Sequence, residues 1–309
     1  MTDAVATATQ SGRPALSGVV RRLPEYLMIW VPLLLSAAHL VSFSLWTIWI
    51  SFTPSTLIPV SGWVGLRNYS AVLATRNWQI AFDNLLLFGS TFVVLSLVAG
   101  LALAILLDQR IRGENLLRSI FLYPLAVSFV VTGTVWGWLL NPGLGIQKLV
   151  NDLGWTSFRF DWLVDRDMAI WTIVIAAIWQ SSGFAMALFL AGLRSVDGDL
   201  IKAAQIDGAG PIRMYRRVIL PTLWPITVTV IVIQLQFAIS TFDLVRALTN
   251  GGPGIATQLP ALVVYDLMFQ RGVLGRGAAA AVLMLLILLA VLLPYAAWRY
   301  VQRRRAIHA

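Results

Sequence analysis

Residues 84–107 read NLLLFGSTFVVLSLVAGLALAILL, an apolar run that contains no charged side chain. An α-helix needs about 20 such residues to cross a hydrocarbon core about 30 Å thick. The run shows none of the alternation of polar and apolar residues that is typical of a membrane-spanning strand. It therefore predicts a transmembrane helix.

Similar apolar blocks recur along the whole chain. Six can be drawn, at residues 27–52, 84–107, 119–140, 168–192, 222–245 and 277–298. The composition agrees, because 58% of the 309 residues are hydrophobic and only 12% are charged, about half the charged fraction of a typical soluble domain. We predict an all-α, polytopic membrane protein with six transmembrane helices.

Basic residues in the loops between these blocks predict the orientation of the chain. An even number of spans puts both termini on one side, and the loops on that side hold all but eight of the 23 basic residues. Because basic loops stay in the cytoplasm, both termini are predicted to be cytoplasmic. We expect a flexible N-terminus at residues 1–24, a transmembrane domain at residues 25–300 and a basic tail at residues 301–309.

The residue types that perform chemistry are almost missing from this sequence. It has no cysteine, and its two histidines, His39 and His308, are isolated, so we predict neither a metal site nor an acid–base pair. The only lysines are Lys148 and Lys202, and neither follows the glycine that a nucleotide-binding P-loop requires. We predict no catalytic residue and no cofactor, and an intramembrane enzyme is disfavoured.

The largest loop on the predicted cytoplasmic side, residues 193–221, reads LRSVDGDLIKAAQIDGAGPIRMYRRVILP. Two short helices are predicted there, the first capped by Asp197 and closed by a turn at Gly208. The second begins near Pro211 and ends at Pro221. Since the loop carries apolar residues that lipid cannot cover, we expect it to dock into another protein.

This loop resembles the EAA loop of permease subunits from binding-protein-dependent ABC importers. The match lies in Lys202, Ala203, Ala204, Asp207, Gly208, Ala209, Tyr215, Leu220 and Pro221. The resemblance implies a type I ABC importer permease fold, in which the loop is a coupling helix seated in a groove of a separate ATPase. Lys202 departs from the pattern, because the family has a glutamate there that helps to bind a basic residue of the ATPase.

A second stretch, residues 248–254 (LTNGGPG), resembles the outer loop of carbohydrate permeases similar to the maltose importer's larger permease subunit. The resemblance covers roughly residues 25–300 and favours permeases for glucose, mannose or small glucosides. It implies a bacterial or archaeal plasma membrane, with these partners: a second permease subunit, two ATPase copies, an external solute-binding protein, the sugar and membrane lipid. No nucleic acid is expected, because the basic residues lie in short loops between apolar blocks. The alternatives are an importer for a polyol, glycerophosphodiester or amino acid, and a secondary transporter.

Polar residues inside the spans are the candidates for the solute path. Gln234, Phe237 and Thr241 are spaced three and four apart and share one helical face. Gln180 and Ser181 interrupt the fourth span. By the resemblance, all five fall at or beside positions that line the sugar site in similar permeases. Packing between neighbouring helices is the alternative role for each polar side chain.

Overall fold

The computed structural model describes residues 16–109 and 112–307 of the chain. Every regular element in these residues is a helix, which confirms the predicted all-α class. The helices are α1 (Leu16–Ser51), α2 (Arg67–Leu73), α3 (Arg76–Asp108), α4 (Glu114–Ala126), α5 (Phe129–Leu139), α6 (Ile146–Asp152), α7 (Ala169–Arg194), α8 (Gly198–Ile206), α9 (Pro211–Met214), α10 (Leu220–Thr222), α11 (Trp224–Ser240), α12 (Asp243–Leu248), α13 (Pro260–Tyr265) and α14 (Leu274–Ile307). Two π-helical turns, Tyr215–Ile219 and Asp266–Gln270, continue α9 and α13.

The chain divides into two units, Met1–Trp49 and Ile50–Ala309. In the first unit, the side chains of α1 from Met28 onward are mostly apolar and exposed, as expected of a surface that faces lipid. The helix begins at Leu16, so residues 16–24 are helical where the sequence predicted a flexible segment. Apolar residues at Leu16, Val19, Val20 and Leu23 have helical spacing, which explains the earlier start. Residues 1–15 of that predicted segment lie outside the described residues.

Within residues 16–109 and 112–307, four helices are long and apolar enough to cross a membrane, with spans at residues 28–51, 76–108, 169–194 and 274–302. Two further helix pairs pass the same test but are bent, by 99° between α4 and α5 and by 66° between Pro211–Thr222 and α11. Counting each bent pair as one span gives the six that the sequence predicted. The third predicted block is therefore bent in its interior, and the fifth begins at a bend from the preceding loop.

In the second unit, α3 and α4 each pack closely against α7 at a glycine. A Cβ on Gly100 of α3 would lie 2.5 Å from Cβ of Ala185 on α7. A Cβ on Gly183 of α7 would lie 2.0 Å from the Phe121 carbonyl oxygen of α4. Since neither position has room for a side chain, both helices approach α7 more closely than larger residues would permit.

Two breaks with extended backbone interrupt the third and fifth predicted blocks, and the second of them, between α11 and α12, is distinct from the bend before α11. Val127, between α4 and α5, has φ −82° and ψ 137°, and Thr241, after α11, has φ −64° and ψ 109°. Ser128 caps α5 by accepting a hydrogen bond from the Val131 amide at 3.3 Å. Irregular backbone at membrane depth is tolerated only where protein buries it or where it lines a cavity. Both breaks therefore point to a site between the helices.

Candidate functional site

A cavity of about 180 Å³ lies where the two breaks meet. It is lined by Phe129, Phe237, Ser240, Thr241, Phe242, Asp243 and Leu244. Phe129 is the first residue of α5, Ser240 is the last of α11 and Asp243 is the first of α12. The sequence thus brings three helix ends to one place, and each contributes a side chain to the wall.

Aromatic rings form the apolar part of this wall. The ring centroids of Phe129 and Phe237 are 6.3 Å apart, and the ring centroid of Phe184 of α7 lies 6.5 Å from that of Phe237. These separations are typical of tilted and edge-to-face aromatic pairs, which stabilise one another beyond their area of burial. The pairs hold Phe237 between α5 and α7.

Two hydroxyls and one carboxylate form the polar part of the wall. Thr241 Oγ1 donates to the Phe237 carbonyl at 2.6 Å, and Ser240 Oγ donates to the Gln236 carbonyl at 2.7 Å. Each hydroxyl donates its hydrogen to a carbonyl of its own helix, so its oxygen lone pairs can accept a hydrogen bond from a solute. Asp243 is exposed and adds two acceptor oxygens. The cavity therefore offers acceptors beside aromatic faces.

The five predicted path residues separate into two groups. Phe237 and Thr241 line the cavity. Gln180, Ser181 and Gln234 are buried, with at most 4% of their surface exposed. Gln180 Nε2 donates to the Val127 carbonyl at 2.7 Å, and neither amide atom of Gln234 has a hydrogen-bond partner among the described residues. Contact of these three buried residues with a solute stays a prediction.

Sequence reasoning missed five residues of the wall, namely Phe129, Ser240, Phe242, Asp243 and Leu244. A signal for Ser240, Phe242 and Asp243 existed, because Ser-Thr-Phe-Asp at 240–243 interrupts an apolar block with polar residues. The signal for Phe129 was Pro124, which lies inside the third block and weakens the helix just before the break. Which side chains face the cavity depends on contacts between helices, and local sequence does not give them.

The loop at residues 193–221 has the predicted capping chemistry at its first helix. Asp197 accepts a hydrogen bond from the Asp199 amide at 2.9 Å, as an N-cap does. Gly208 has φ +74°, its amide donates to the Gln205 carbonyl, and the Ala209 amide donates to the Ala204 carbonyl, each at 3.0 Å. This pair of bonds is the Schellman motif, which requires a left-handed residue at the position of Gly208.

The second helix of the loop continues further than predicted. Pro221 does not end it, because α10 runs to Thr222 after the π-helical turn at Tyr215–Ile219. The wide turn changes the hydrogen-bond pattern just before the proline, so the missing N–H of Pro221 does not stop the chain. The break to α11 falls two residues after Pro221, at Leu223.

The loop at residues 193–221 packs against membrane helices near its end, whereas its middle part has exposed apolar side chains. Tyr215, Ile219 and Leu223 pack in one cluster with residues of α3 and α7, such as Leu107 and Leu193. Ile206 at the end of α8 and Ile212 in α9 are 86% and 84% exposed. Lys202 forms an ion pair with Asp199 at 2.9 Å on the surface of α8. The loop thus presents exposed apolar residues while it stays attached to two membrane helices.

Arg194, the last residue of α7, connects the start of the loop to the turn between α3 and α4. Its Nη2 lies 2.5 Å from Oε1 of Glu114, and its Nε lies 3.8 Å from Oδ1 of Asp108. These groups are partly exposed, so each pair contributes at most about 1 kcal/mol. The arrangement ties the ends of three helices at the predicted cytoplasmic side.

Comparison with known proteins identifies relatives over most of the chain. Residues 93–307 match the sequence model of the family described as binding-protein-dependent transport system inner membrane component. A probable ABC transporter permease protein of Pyrococcus horikoshii is 38% identical over 281 residues, covering 90% of this chain and 96% of that protein. The trehalose/maltose transport system permease protein MalF of Thermococcus litoralis is 32% identical over 271 residues, covering 87% of this chain and 91% of that protein.

A solved structure supports the fold. The crystal structure of a bacterial ABC transporter involved in the import of the acidic polysaccharide alginate contains a chain that superposes with a TM-score of 0.77. That match covers 94% of this chain and 98% of the other at 19% sequence identity. Because so few residues are identical, the likeness concerns the arrangement of the helices alone.

Proposed function

The chain belongs to the family of binding-protein-dependent transport system inner membrane components, and on that premise we propose that it forms half of the membrane path of an ABC importer for a sugar. The family consists of membrane permeases and not of catalytic enzymes. One observation carries the proposal for the path: the breaks at Val127 and Thr241, which lie inside two predicted spans, meet at one cavity. Broken helices are the usual way in which membrane transporters build a solute site.

The chemistry of the cavity supports a sugar. A neutral sugar needs hydroxyl partners and apolar faces rather than a countercharge. The wall supplies the rings of Phe129 and Phe237, the hydroxyl oxygens of Ser240 and Thr241 and the carboxylate of Asp243. None of the described lining residues is basic, which disfavours an anionic solute.

The size of the cavity supports a path shared between two subunits. Its volume of about 180 Å³ is below the range of about 300–1,000 Å³ that is usual for small-molecule sites. A second permease subunit that faces the same cavity would complete the enclosure. We propose this subunit as a partner, together with an external binding protein that delivers the sugar.

The loop at 193–221 is the proposed contact with a cytoplasmic ATPase. Ile206 and Ile212 are exposed apolar side chains that an ATPase groove would bury, and the loop is anchored on α3 and α7. Movement of the ATPase would therefore reach the membrane helices through Tyr215 and Ile219. With the loop in the cytoplasm, both termini are also cytoplasmic, in agreement with the distribution of basic residues.

Uptake by a deletion strain tests the solute. We expect loss of the gene to abolish high-affinity uptake of one radiolabelled sugar among glucose, mannose, trehalose, maltose and xylose, and expect the restored gene to recover it. Uptake of sn-glycerol 3-phosphate and glutamine should not change. A defect confined to either of these two would contradict the sugar proposal and favour an importer for an anion or an amino acid.

A further inference from the structure

Among the residues that the structure describes, the side chain of Gln180 makes one hydrogen bond, through Nε2, to the break between α4 and α5, and its Oε1 has no partner. Its side chain is 2% exposed and projects from α7, a continuous helix of 26 residues. Nε2 donates to the Val127 carbonyl at 2.7 Å. Val127 has extended backbone, so its carbonyl turns away from the helix axis and needs a donor from elsewhere. In a membrane, water is not available for this purpose.

A second contact with α7 fixes the approach to the break. Gly183 lies three residues from Gln180, on the same side of the helix. The Phe121 carbonyl oxygen of α4 lies so close to Gly183 that a Cβ there would sit 2.0 Å away. α7 therefore holds α4 at two points, one before the break and one at it.

The break determines where Phe129 lies. Ser128 follows Val127 and caps α5, and Phe129 is the first residue of that helix. Only one residue therefore separates the carbonyl that Gln180 binds from the ring that lines the cavity. The ring of Phe129 lies 6.3 Å from that of Phe237, and Phe237 lies 6.5 Å from Phe184. On α7, Gln180 thus contacts the backbone two residues before Phe129, and Phe184, one turn further along, contacts Phe237.

We propose that Gln180 is a positioning residue of the solute cavity, whose amide N–H fixes the break in the third span and thereby holds Phe129 against Phe237. The inference rests on the proposed function for the role of the cavity in transport, but not for the geometry of the break. It assigns Gln180 an indirect role, whereas the sequence-based prediction made it a candidate for lining the solute path. Through its contacts at Gly183 and Gln180, α7 would determine the bend of 99° between α4 and α5.

The absence of cysteine from the native chain allows a direct test by spin labelling. One label replaces Val131, which is 51% exposed on α5, and the other replaces Ala191, which is exposed on α7. The distance distribution between them is measured in the complex purified from its native membrane. We expect a narrow distribution in the parent and a broad or shifted one with Gln180→Met, because methionine keeps the size but removes the donor.

Two variants complete this test. Gln180→His retains an N–H donor and should restore the narrow distribution. Gln234→Met removes an equally buried glutamine that has no hydrogen-bond partner among the described residues, and it should leave the distribution unchanged. The same distribution in Gln180→Met as in the parent would overturn the proposal. Equal broadening with Gln234→Met would also overturn it, because the effect would then be general packing.

Transport of the sugar identified by the deletion strain gives a second readout. We expect Gln180→Met to raise the half-saturating sugar concentration about tenfold, the scale of one unpaired buried carbonyl, and to change the maximal rate less than about twofold. Phe129→Leu should add little in that background, because its ring is already displaced. Additive effects of the two substitutions would overturn the proposal. If no sugar is transported, the proposed function fails, and the label distances alone decide the role of Gln180.

Discussion

At the scale of single residues, Thr241 and Gln234 show that a shared helical face does not imply a shared environment. They lie seven residues apart on one predicted helical face, yet Thr241 lines the cavity and the side chain of Gln234 is fully buried. Leaving a buried polar group without a partner costs about 1–3 kcal/mol. Gln234 therefore does not stabilise the described conformation, and solute contact in another conformation stays a prediction for it.

Removing the hydroxyl of Thr241 tests its contact with the sugar. Thr241→Val keeps the shape of the side chain and should raise the half-saturating sugar concentration about threefold to tenfold, since one neutral hydrogen bond is worth about 0.5–1.5 kcal/mol. Uptake rates and the amount of assembled complex are measured together. The matched control is Thr134→Val, because Thr134 Oγ1 also donates to the carbonyl four residues before it, at 2.9 Å, but Thr134 does not line the cavity. An equal effect of both substitutions would contradict sugar contact.

At the scale of helices and loops, α8 shows how much local sequence can establish. The N-cap at Asp197 and the turn at Gly208 were both predicted, because capping depends on residues within one or two turns. The break at Val127 was not predicted, because the donor that stabilises it, Gln180, lies 53 residues away. The long apolar blocks therefore indicated the positions of the spans, while the bends and the cavity wall depend on contacts between helices that one span does not encode.

Gly208 allows a test of backbone strain alone, because its backbone conformation disfavours a side chain although the space around it would accommodate one. Its φ of +74° disfavours any side chain, although a Cβ there would meet no atom within 4 Å. Gly208→Val should therefore strain the turn by about 1–2 kcal/mol without a steric clash. We expect ATP hydrolysis to lose its stimulation by sugar and uptake to fall, while the membrane helices still insert.

Gly198 provides the control for that substitution. It begins α8, a Cβ there would also meet no atom within 4 Å, and its φ is not in the left-handed region. Gly198→Val adds the same side chain to the same loop and should leave sugar-stimulated ATP hydrolysis close to that of the parent. Normal coupling in Gly208→Val, or equal loss in both variants, would show that the left-handed turn has no role in coupling.

At the scale of the whole molecule, the proposed path and docking loop belong to a chain whose sequence contains no P-loop. Neither of its two lysines belongs to a P-loop, and no group of acidic or histidine residues able to hold a metal ion occurs among the residues that the structure describes. The packed end of the loop and the ion pairs of Arg194 join the loop to α3, α4 and α7. A force applied at α8 would therefore reach both the helix that carries Gln180 and the helix that precedes the break.

Because the sequence contains no P-loop, we predict that a separate ATPase binds to the exposed side chains of Ile206 and Ile212. Burying an apolar side chain of this size contributes about 1.5–3 kcal/mol, so charging both, as Ile206→Asp with Ile212→Asp, should weaken ATPase binding by more than about 100-fold. The chain is tagged, purified from its native membrane in mild detergent and weighed as an intact complex by native mass spectrometry. We expect the parent to carry a second permease subunit and two ATPase copies, and the double variant to keep the permease but lose the ATPase.

The control is Leu144→Asp, a change at a 76% exposed residue in the predicted outer loop, which should keep both the second permease subunit and the ATPase. Sugar uptake by a preparation that contains no ATPase would refute the assembly, because the chain would then power transport by itself.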